Sequence, residues 1–487
     1  MNDSKSPSSV VSGLIALHGN RVETLLETVA AWVVRNPLGV LETETLLVQS
    51  NGMAEWVKMA LARQAGVCAA VSVQLPARFQ WQVIRLVLGR ARVPARSPLD
   101  KTPLAWRLMR LLDGEMADPA YAPLTGYLGG GDAARRFQLA TRIADLYDQY
   151  QIYRPDWLEA WSEGEEVLVD PTGDRRPLTA EQRWQARLWR RIVDELPPDE
   201  LAVSRARVLD EVIAQLESED TRTSGATSLR AALPRRIVLF GVTNVPLPTL
   251  RLLAALSRHS QVILAIPNPC RFHWADIMDG RELLDLARRR LPLRNGQELR
   301  AIGLEAMHLH AHPLLAAWGR QSRDFVRQLD AFDDAEASRQ HFQLDRIDLF
   351  DEESAADASL LAQVQDHIRD LLPLNEHPRP PIAAEDRSIV FHTAHSAVRE
   401  LEVLHDELLA LLAAPPGGKA LNPRDIVVMV PSIDDFAPAI RAVFGQYARS
   451  DPRHIPFDIA DLSARTSNPL MGAIEWLLRL PHDRCRL

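Results

Sequence analysis

Leu46–Trp56, LLVQSNGMAEW, opens on apolar residues, breaks at a polar turn and continues with apolar residues at helical spacing. It reads as a buried strand, a polar exit and a helix beginning near Gly52. Ser50 and Asn51 stand where oxygen-bearing side chains cap the first free N–H groups of a helix. Upstream, Leu14–Leu17 (LIAL) and Thr45–Val48 (TLLV) read as short buried strands, and Arg21–Val34 between them has helical periodicity. A strand–helix–strand unit of this kind builds a parallel sheet. Downstream, Leu75–Trp81 (LPARFQW) reads as a second turn carrying an aromatic.

The same grammar returns later. Arg236–Phe240 (RIVLF) and Gln261–Ile266 (QVILAI) read as strands flanking a helix at Pro248–Ser257. Ligands in open α/β sheets lie beyond the carboxyl ends of strands, so Gly241–Asn244 and Asn268–Arg271 are site-like by position. A third unit is expected from Ser388–His392 (SIVFH), a helix at Ala397–Leu412 and Ile426–Val430 (IVVMV), with a last helix at Pro469–Leu480. Between the units, Pro119–Asp132 reads as a turn-rich link and Arg135–Tyr153 as a long helix stopped by Arg154-Pro155. Asp330–Asp357 is acidic and reads as irregular, and Pro373–Glu385 is Pro-rich.

These boundaries predict an α/β protein. Residues 1–12 form a disordered tail, and 13–115 with 230–330 form a first α/β core. Residues 116–229 are a helical insertion, 331–387 a linker, and 388–487 the start of an incomplete second core.

The chain has 487 residues, 46% of them hydrophobic and 25% charged, with a formal net charge of −8. That balance suits a globular protein with real cores and argues against indiscriminate nucleic-acid binding, while leaving room for a local basic track. No apolar run is long enough to cross a bilayer. Cys68, Cys270 and Cys485 form no CxxC pair, which points to a reducing, cytoplasmic setting. Lysine occurs only at positions 5, 58, 101 and 419. A P-loop needs Gly-Lys-Ser or Gly-Lys-Thr after a Gly-rich turn. Ser4 precedes Lys5, Asp100 precedes Lys101, Val57 precedes Lys58, and Ala420 follows Lys419, so none completes the motif.

Arg78–Arg110 holds Arg78, Arg85, Arg90, Arg92, Arg96, Lys101, Arg107 and Arg110 against one acid, Asp100, with Phe79, Trp81 and Trp106 interleaved. Positive charge tracks a phosphate backbone, and aromatic faces stack on bases. The plainer alternative is an amphipathic helix pair with a solvated arginine face. No catalytic set is complete. HLHAH at His308, His310 and His312 has no nearby Cys or carboxylate pair to complete a metal site, and reads as a polar surface strand or loop. His392 and His395 have no nucleophile beside them. Asp145 and Asp148 share a helix face without a third acid.

Leu46–Trp56, Leu75–Trp81 and Asp145–Leu158 (DLYDQYQIYRPDWL) together resemble the RecC family, the gamma chain of exodeoxyribonuclease V. Asn268–Ile277, Pro313–Phe325, His395–Asp406 and Pro423–Val430 extend the likeness in the same order. The resemblance implies an inactivated superfamily-1 helicase-like fold without ATP-binding motifs or a cofactor. It implies a non-catalytic subunit that holds RecB-like and RecD-like partners, meets forked and single-stranded DNA, and reads the Chi sequence in a channel. Family members are normally more than twice this length, so the chain reads as an N-terminal part.

The resemblance places recognition on Gln49, Asn51, Glu55, Leu75, Trp81, Asp145, Leu146, Asp148, Arg154 and Arg205. Asn and Gln read base edges, Arg reads guanine or phosphate, and Trp stacks. Asn51 stands where Thr is usual and Glu55 where Gln is usual, which implies altered reading. Each position has a plainer use: Leu75, Leu146 and Trp81 as core, Asp145 with Arg154 as an ion pair. A second reading of the whole chain is a scaffold that keeps only the helicase-like fold.

Overall fold

The computed structural model describes residues 10–93, 97–114, 118–129, 132–169, 174–202, 204–218, 232–272, 274, 312–334, 344–352, 358–374, 376–378, 380–415, 420–462 and 468–480. These divide into two compact units, residues 1–358 with 362–382, and residues 359–361 with 383–487.

The first unit is organised by a six-stranded, wholly parallel sheet. Its strands are β1 (Gly13–Gly19), β2 (Glu44–Leu47), β3 (Val71–Gln74), β6 (Arg236–Phe240), β7 (Gln261–Pro267) and β8 (Leu344–Asp348), in the spatial order β3-β2-β6-β7-β1-β8. The short strands β4 (Val167–Val169) and β5 (Arg175–Pro177) form a separate antiparallel pair. Side chains alternate across a strand. Along β6, Ile237 and Leu239 face one core while Val238 and Phe240 face the other. Both faces are covered, which is why these strands read as continuous apolar runs.

Helices α1 (Val22–Arg35) and α2 (Asn51–Ala65) cover the Val238 face, burying Leu25, Leu26, Val29 and Val57. Ser50 caps α2, its hydroxyl accepting from Met53 N at 3.2 Å. Gly66, at φ 79°, ends it in the left-handed conformation glycine adopts without strain. The Ile237 face is covered by α3 (Pro76–Leu88), α10 (Arg205–Ser218) and α11 (Leu247–Leu256).

Helices α4 (Lys101–Leu111), α5 (Ala122–Leu128), α6 (Ala133–Tyr153), α7 (Pro155–Ser162) and α8 (Arg183–Asp194) share a separate core, followed by the short α9 (Pro198–Ala202). Its centre is aromatic: Tyr147 meets Trp189 at 5.2 Å, and Tyr150 meets Trp157 at 5.4 Å and Trp161 at 5.7 Å between ring centroids. Helix α4, expected with the sheet, packs here, because Leu104, Leu108 and Leu111 face Ile143 and Tyr147 rather than the strands.

Three further expectations change in the first unit. Leu75–Trp81 is not a turn. Leu75 is the N-cap of α3 and Pro76 its first residue, where a missing N–H costs nothing. The acidic stretch 330–357 is not wholly irregular. After α12 (Pro313–Trp318) and α13 (Arg320–Asp334) it supplies β8, the edge strand beside β1. Pro119–Asp132 contains a 3-10 turn and α5 rather than a bare link. Glu217–Ser228, polar in sequence and expected to be exposed, lies largely outside the described residues. Helix α14 (Leu360–Arg369) follows β8.

The second unit holds α15 (Ala397–Ala413), α16 (Ile433–Phe444) and α17 (Pro469–Arg479), with a small core of Leu401, Leu408, Val443, Phe444 and Ile455. Neither Ser388–His392 nor Ile426–Val430 is a strand. Both are irregular, and Phe391 is 92% and Met429 89% exposed. Apolar content was enough to suggest strands, but a ladder needs a neighbour, and none lies beside them among the described residues.

Candidate nucleic-acid interface

The ten expected recognition residues fall into three places in the first unit. Gln49, Asn51, Glu55 and Leu75 sit where β2 and β3 leave the sheet. Val48 N donates to Gln74 O at 3.1 Å, so Gln49 and Leu75 depart from adjacent strands. Gln49 and Asn51 are exposed. Leu75 is 41% exposed, so it is not the core residue that its apolar side chain alone would suggest. Glu55 lies one turn beyond Asn51 on α2 and accepts from Lys58 at 3.0 Å. Exposed pairs of this kind stabilise little, so Glu55 is held only loosely. At the neighbouring exit of β6, Gly241 has φ 67°, and a Cβ there would sit 3.6 Å from Met53 Cε.

The second place joins four helices. Trp81 on α3 lies half-buried against the sheet core. Arg85, one turn on, has its guanidinium 5.6 Å from the Trp81 ring centroid, and Arg205 at the start of α10 lies 5.7 Å from it. Arg205 Nη1 is 4.0 Å from Asp148 Oδ1 on α6. Burial raises the Asp148 pKa above the ordinary aspartate range, and Arg205 works against that rise. One turn earlier, Asp145 accepts from Lys101 Nζ of α4 at 2.5 Å. Leu146 is partly buried, and Tyr147 between the two acids is core, its hydroxyl donating to Gln185 O at 2.8 Å. Arg85 and Lys101 were legible only as members of a basic run; the folded helices give them their neighbours.

Arg154 stands apart. It ends α6, pairs with Asp156 at 2.7 Å, donates to the Val169 carbonyl and lies 4.1 Å over Trp157. These contacts pin the α6–α7 corner. The alternative of an Asp145–Arg154 ion pair is not met: each has a different partner.

The basic run is dispersed in part. Arg92 pairs with Glu211 at 2.6 Å, Arg110 with Glu195 at 2.6 Å, and Arg107 lies 3.7 Å from Glu200. Phe79, 2% exposed, is core and cannot stack on a base. Trp106 is 61% exposed.

The site-like strand exits near β1 and β7 are filled by the chain itself. Asn268 is buried, and its carboxamide oxygen accepts from Cys270 N at 3.2 Å and Trp274 Nε1 at 3.0 Å. Leu349 N donates to His18 O at 2.6 Å, Asp351 N to Asn20 Oδ1 at 3.1 Å, and Arg21 pairs with Asp351. Only Asn20 and Arg21 connect β1 to α1, with no glycine-rich cradle. Arg271 and the buried Arg369 both bond Asp370, at 2.9 and 2.8 Å. Of the histidine run, His308 and His310 lie outside the described residues, while His312 is buried, caps α12 and stacks on His377 at 5.2 Å. Among the described residues, no group of three His, Cys, Asp or Glu could hold a metal, and no helix is long and apolar enough to cross a membrane.

Residues 14–371 match the family model described as RecC, N-terminal domain. The chain is 36% identical over 493 residues to the RecBCD enzyme subunit RecC of Escherichia coli K12, covering 96% of this chain and 41% of that protein. It is 33% identical to the RecC subunit of Haemophilus influenzae, covering 91% of this chain and 40% of that protein. To that of Mycolicibacterium smegmatis it is 30% identical, with 96% and 39% covered. The chain thus spans about two fifths of the length of these curated relatives.

Proposed function

The chain belongs to the RecC family, and from that premise we propose that it is the N-terminal, DNA-contacting part of a RecBCD-type helicase–nuclease subunit for double-strand break repair. In this reading it is an inactivated helicase-like chain without a catalytic site of its own. It lines a path for one DNA strand, helps read a Chi-like sequence, and works in the cytoplasm beside RecB-like and RecD-like partners.

The observation that carries the reading is Trp81, whose ring has a guanidinium near it from each of two helices, one of them backed by Asp148. An aromatic face next to fixed positive charge suits a base and its phosphate, and stacking on it is tolerant of sequence. Gln49 and Asn51, exposed at the strand exits, present paired donors and acceptors suited to base edges. Glu55 offers acceptors only, so it favours a base amino group such as cytosine N4.

The test is fluorescence anisotropy of labelled single-stranded DNA at two salt concentrations. Binding is expected to weaken with salt, and Arg205→Gln to lower the salt slope by about one. Trp81→Ala is expected to weaken binding roughly tenfold, within the range for one lost stacked base. A folded chain, checked by circular dichroism, that binds no DNA at low salt would overturn the reading and leave a scaffold role.

A further inference from the structure

Trp106 and Phe137 form an aromatic pair on the outer surface of the helical layer, outside the ten recognition residues. Their ring centroids are 5.6 Å apart at an interplanar angle of 43°. Trp106 is 61% and Phe137 44% exposed, and the indole N–H of Trp106 meets no acceptor among the described residues. Singly exposed apolar residues are ordinary, but two large rings in contact begin a contiguous patch, the kind of surface that marks an interaction site.

The surroundings select the occupant. Residues 101–111 and 133–142, the stretches of α4 and α6 that carry the pair, hold Lys101, Arg107, Arg110, Arg135, Arg136 and Arg142 and no acidic residue, while carboxylates from outside them pair with Lys101, Arg107, Arg110 and Arg136. Arg110 lies one turn from Trp106 on the same helix face, and Lys101 lies on the turn before it. Both make exposed ion pairs, to Glu195 and Asp145, which a phosphate can replace at small cost. The pair also shares a helix with the Trp81 site. Phe137, Thr141, Asp145 and Asp148 follow one another at helical spacing along α6, and Asp148 faces Arg205 beside Trp81. Eleven residues of helix span about 16 Å, the reach of a few nucleotides of a single strand.

We propose that Trp106 and Phe137 are a second base-stacking platform for single-stranded DNA, further along the strand that passes Trp81. The inference rests on the DNA-contacting reading above and extends it onto the helical layer. Lys101 and Arg110 would then exchange their carboxylates for phosphates when the strand is bound.

The experiment uses the full chain and bromodeoxyuridine-substituted oligothymidylates, one short and one long. Photocrosslinks on the long oligonucleotide are expected at both Trp81 and Trp106 or Phe137, located by mass spectrometry. The double variant Trp106→Ala/Phe137→Ala is expected to bind the long oligonucleotide roughly tenfold more weakly, as for lost stacking, with its salt slope unchanged. Its affinity for the short oligonucleotide should stay near that of the unaltered chain. Trp106→Tyr, which keeps a ring, should retain most binding. Crosslinks confined to Trp81, with unaltered affinity in the double variant, overturn this inference while leaving the Trp81 site standing. The aromatic pair would then be a protein-docking face. No crosslinks and no binding by the unaltered chain overturn both.

Discussion

Arg236–Phe240 and Ile426–Val430 are five-residue runs of nearly the same character, RIVLF and IVVMV, yet only the first is a strand. All five residues of RIVLF are buried, with β2 on one side and β7 on the other. In IVVMV, Val427 and Met429 face solvent and no ladder forms. Composition proposes a strand, but neighbours on both edges and cover on both faces decide it.

The comparison breaks most violently at the centre of the first run. Val238 is fully buried between β2 and β7. Val238→Asp would place an uncompensated carboxylate in the sheet, and the cost of several kcal/mol exceeds what a domain of ordinary stability tolerates. Loss of the cooperative unfolding transition of the first unit, followed by circular dichroism, is the expected result. A retained transition would mean that the sheet is far less tightly specified than its packing indicates.

The next effect lies two residues away. Arg236 is fully buried and its guanidinium donates to Glu44 at 2.6 Å, Gln261 at 2.7 Å and the Asn36 carbonyl at 2.6 Å. Burial raises the Glu44 pKa and lowers that of Arg236, in both cases against their mutual attraction. Arg236→Met would strand the carboxylate and is expected to cost about 3–5 kcal/mol, while the double change with Glu44→Leu should recover much of it. Urea titrations of the two variants measure this, and equal destabilisation in both would show that the pair stabilises more than it costs to desolvate.

Much of the first unit was legible because its strands are apolar on both faces and its helices keep their period. The strands β1, β2, β6 and β7 and the helices beside them follow from LIAL, TLLV, RIVLF and QVILAI. What escaped was the edge. Strand β3, VSVQ, is short and only partly buried, and β8, LDRID, is charged; each becomes a strand because an existing edge accepts it. The candidate site shows the same division. Gln49 to Leu75 is local and readable, whereas Trp81 and Arg205 are 124 positions apart and meet only because α3 and α10 pack on one sheet face. Periodicity reports which face of a helix is buried, but not which cation arrives beside an aromatic.

A smaller effect contrasts two aspartates by their partners. Asp118 accepts from Ala120 N at 2.9 Å and from Arg187 at 2.5 Å, which holds its pKa below the usual 3.8. A lowered pKa contributes stability that is present above that value and fades as pH falls through the folded value. Asp118→Ala should therefore lower the melting temperature modestly at neutral pH, with the gap closing below about pH 3.8. Asp148 has the opposite sign. Its pKa is raised by burial, so its contribution is lost as pH rises, and Asp148→Asn should leave neutral-pH stability unchanged or higher. Melting curves across pH separate the two, and parallel behaviour would contradict the assigned causes.

The smallest expected effect closes the comparison. Val428 stands at the centre of IVVMV as Val238 does at the centre of RIVLF, but it is half exposed and has no strand beside it among the described residues. Val428→Asp places its charge in water, so the second unit should keep its stability to within about 0.5 kcal/mol. The core that matters there is Leu401, Leu408, Val443, Phe444 and Ile455, which the substitution does not touch. Amide exchange gives an independent reading: N–H groups of 426–430 should exchange rapidly, and those of 236–240 only through global opening. A large loss of stability from Val428→Asp, or slow exchange at 426–430, would show that this run is paired in solution. The difference between the two segments would then be one of degree rather than of kind.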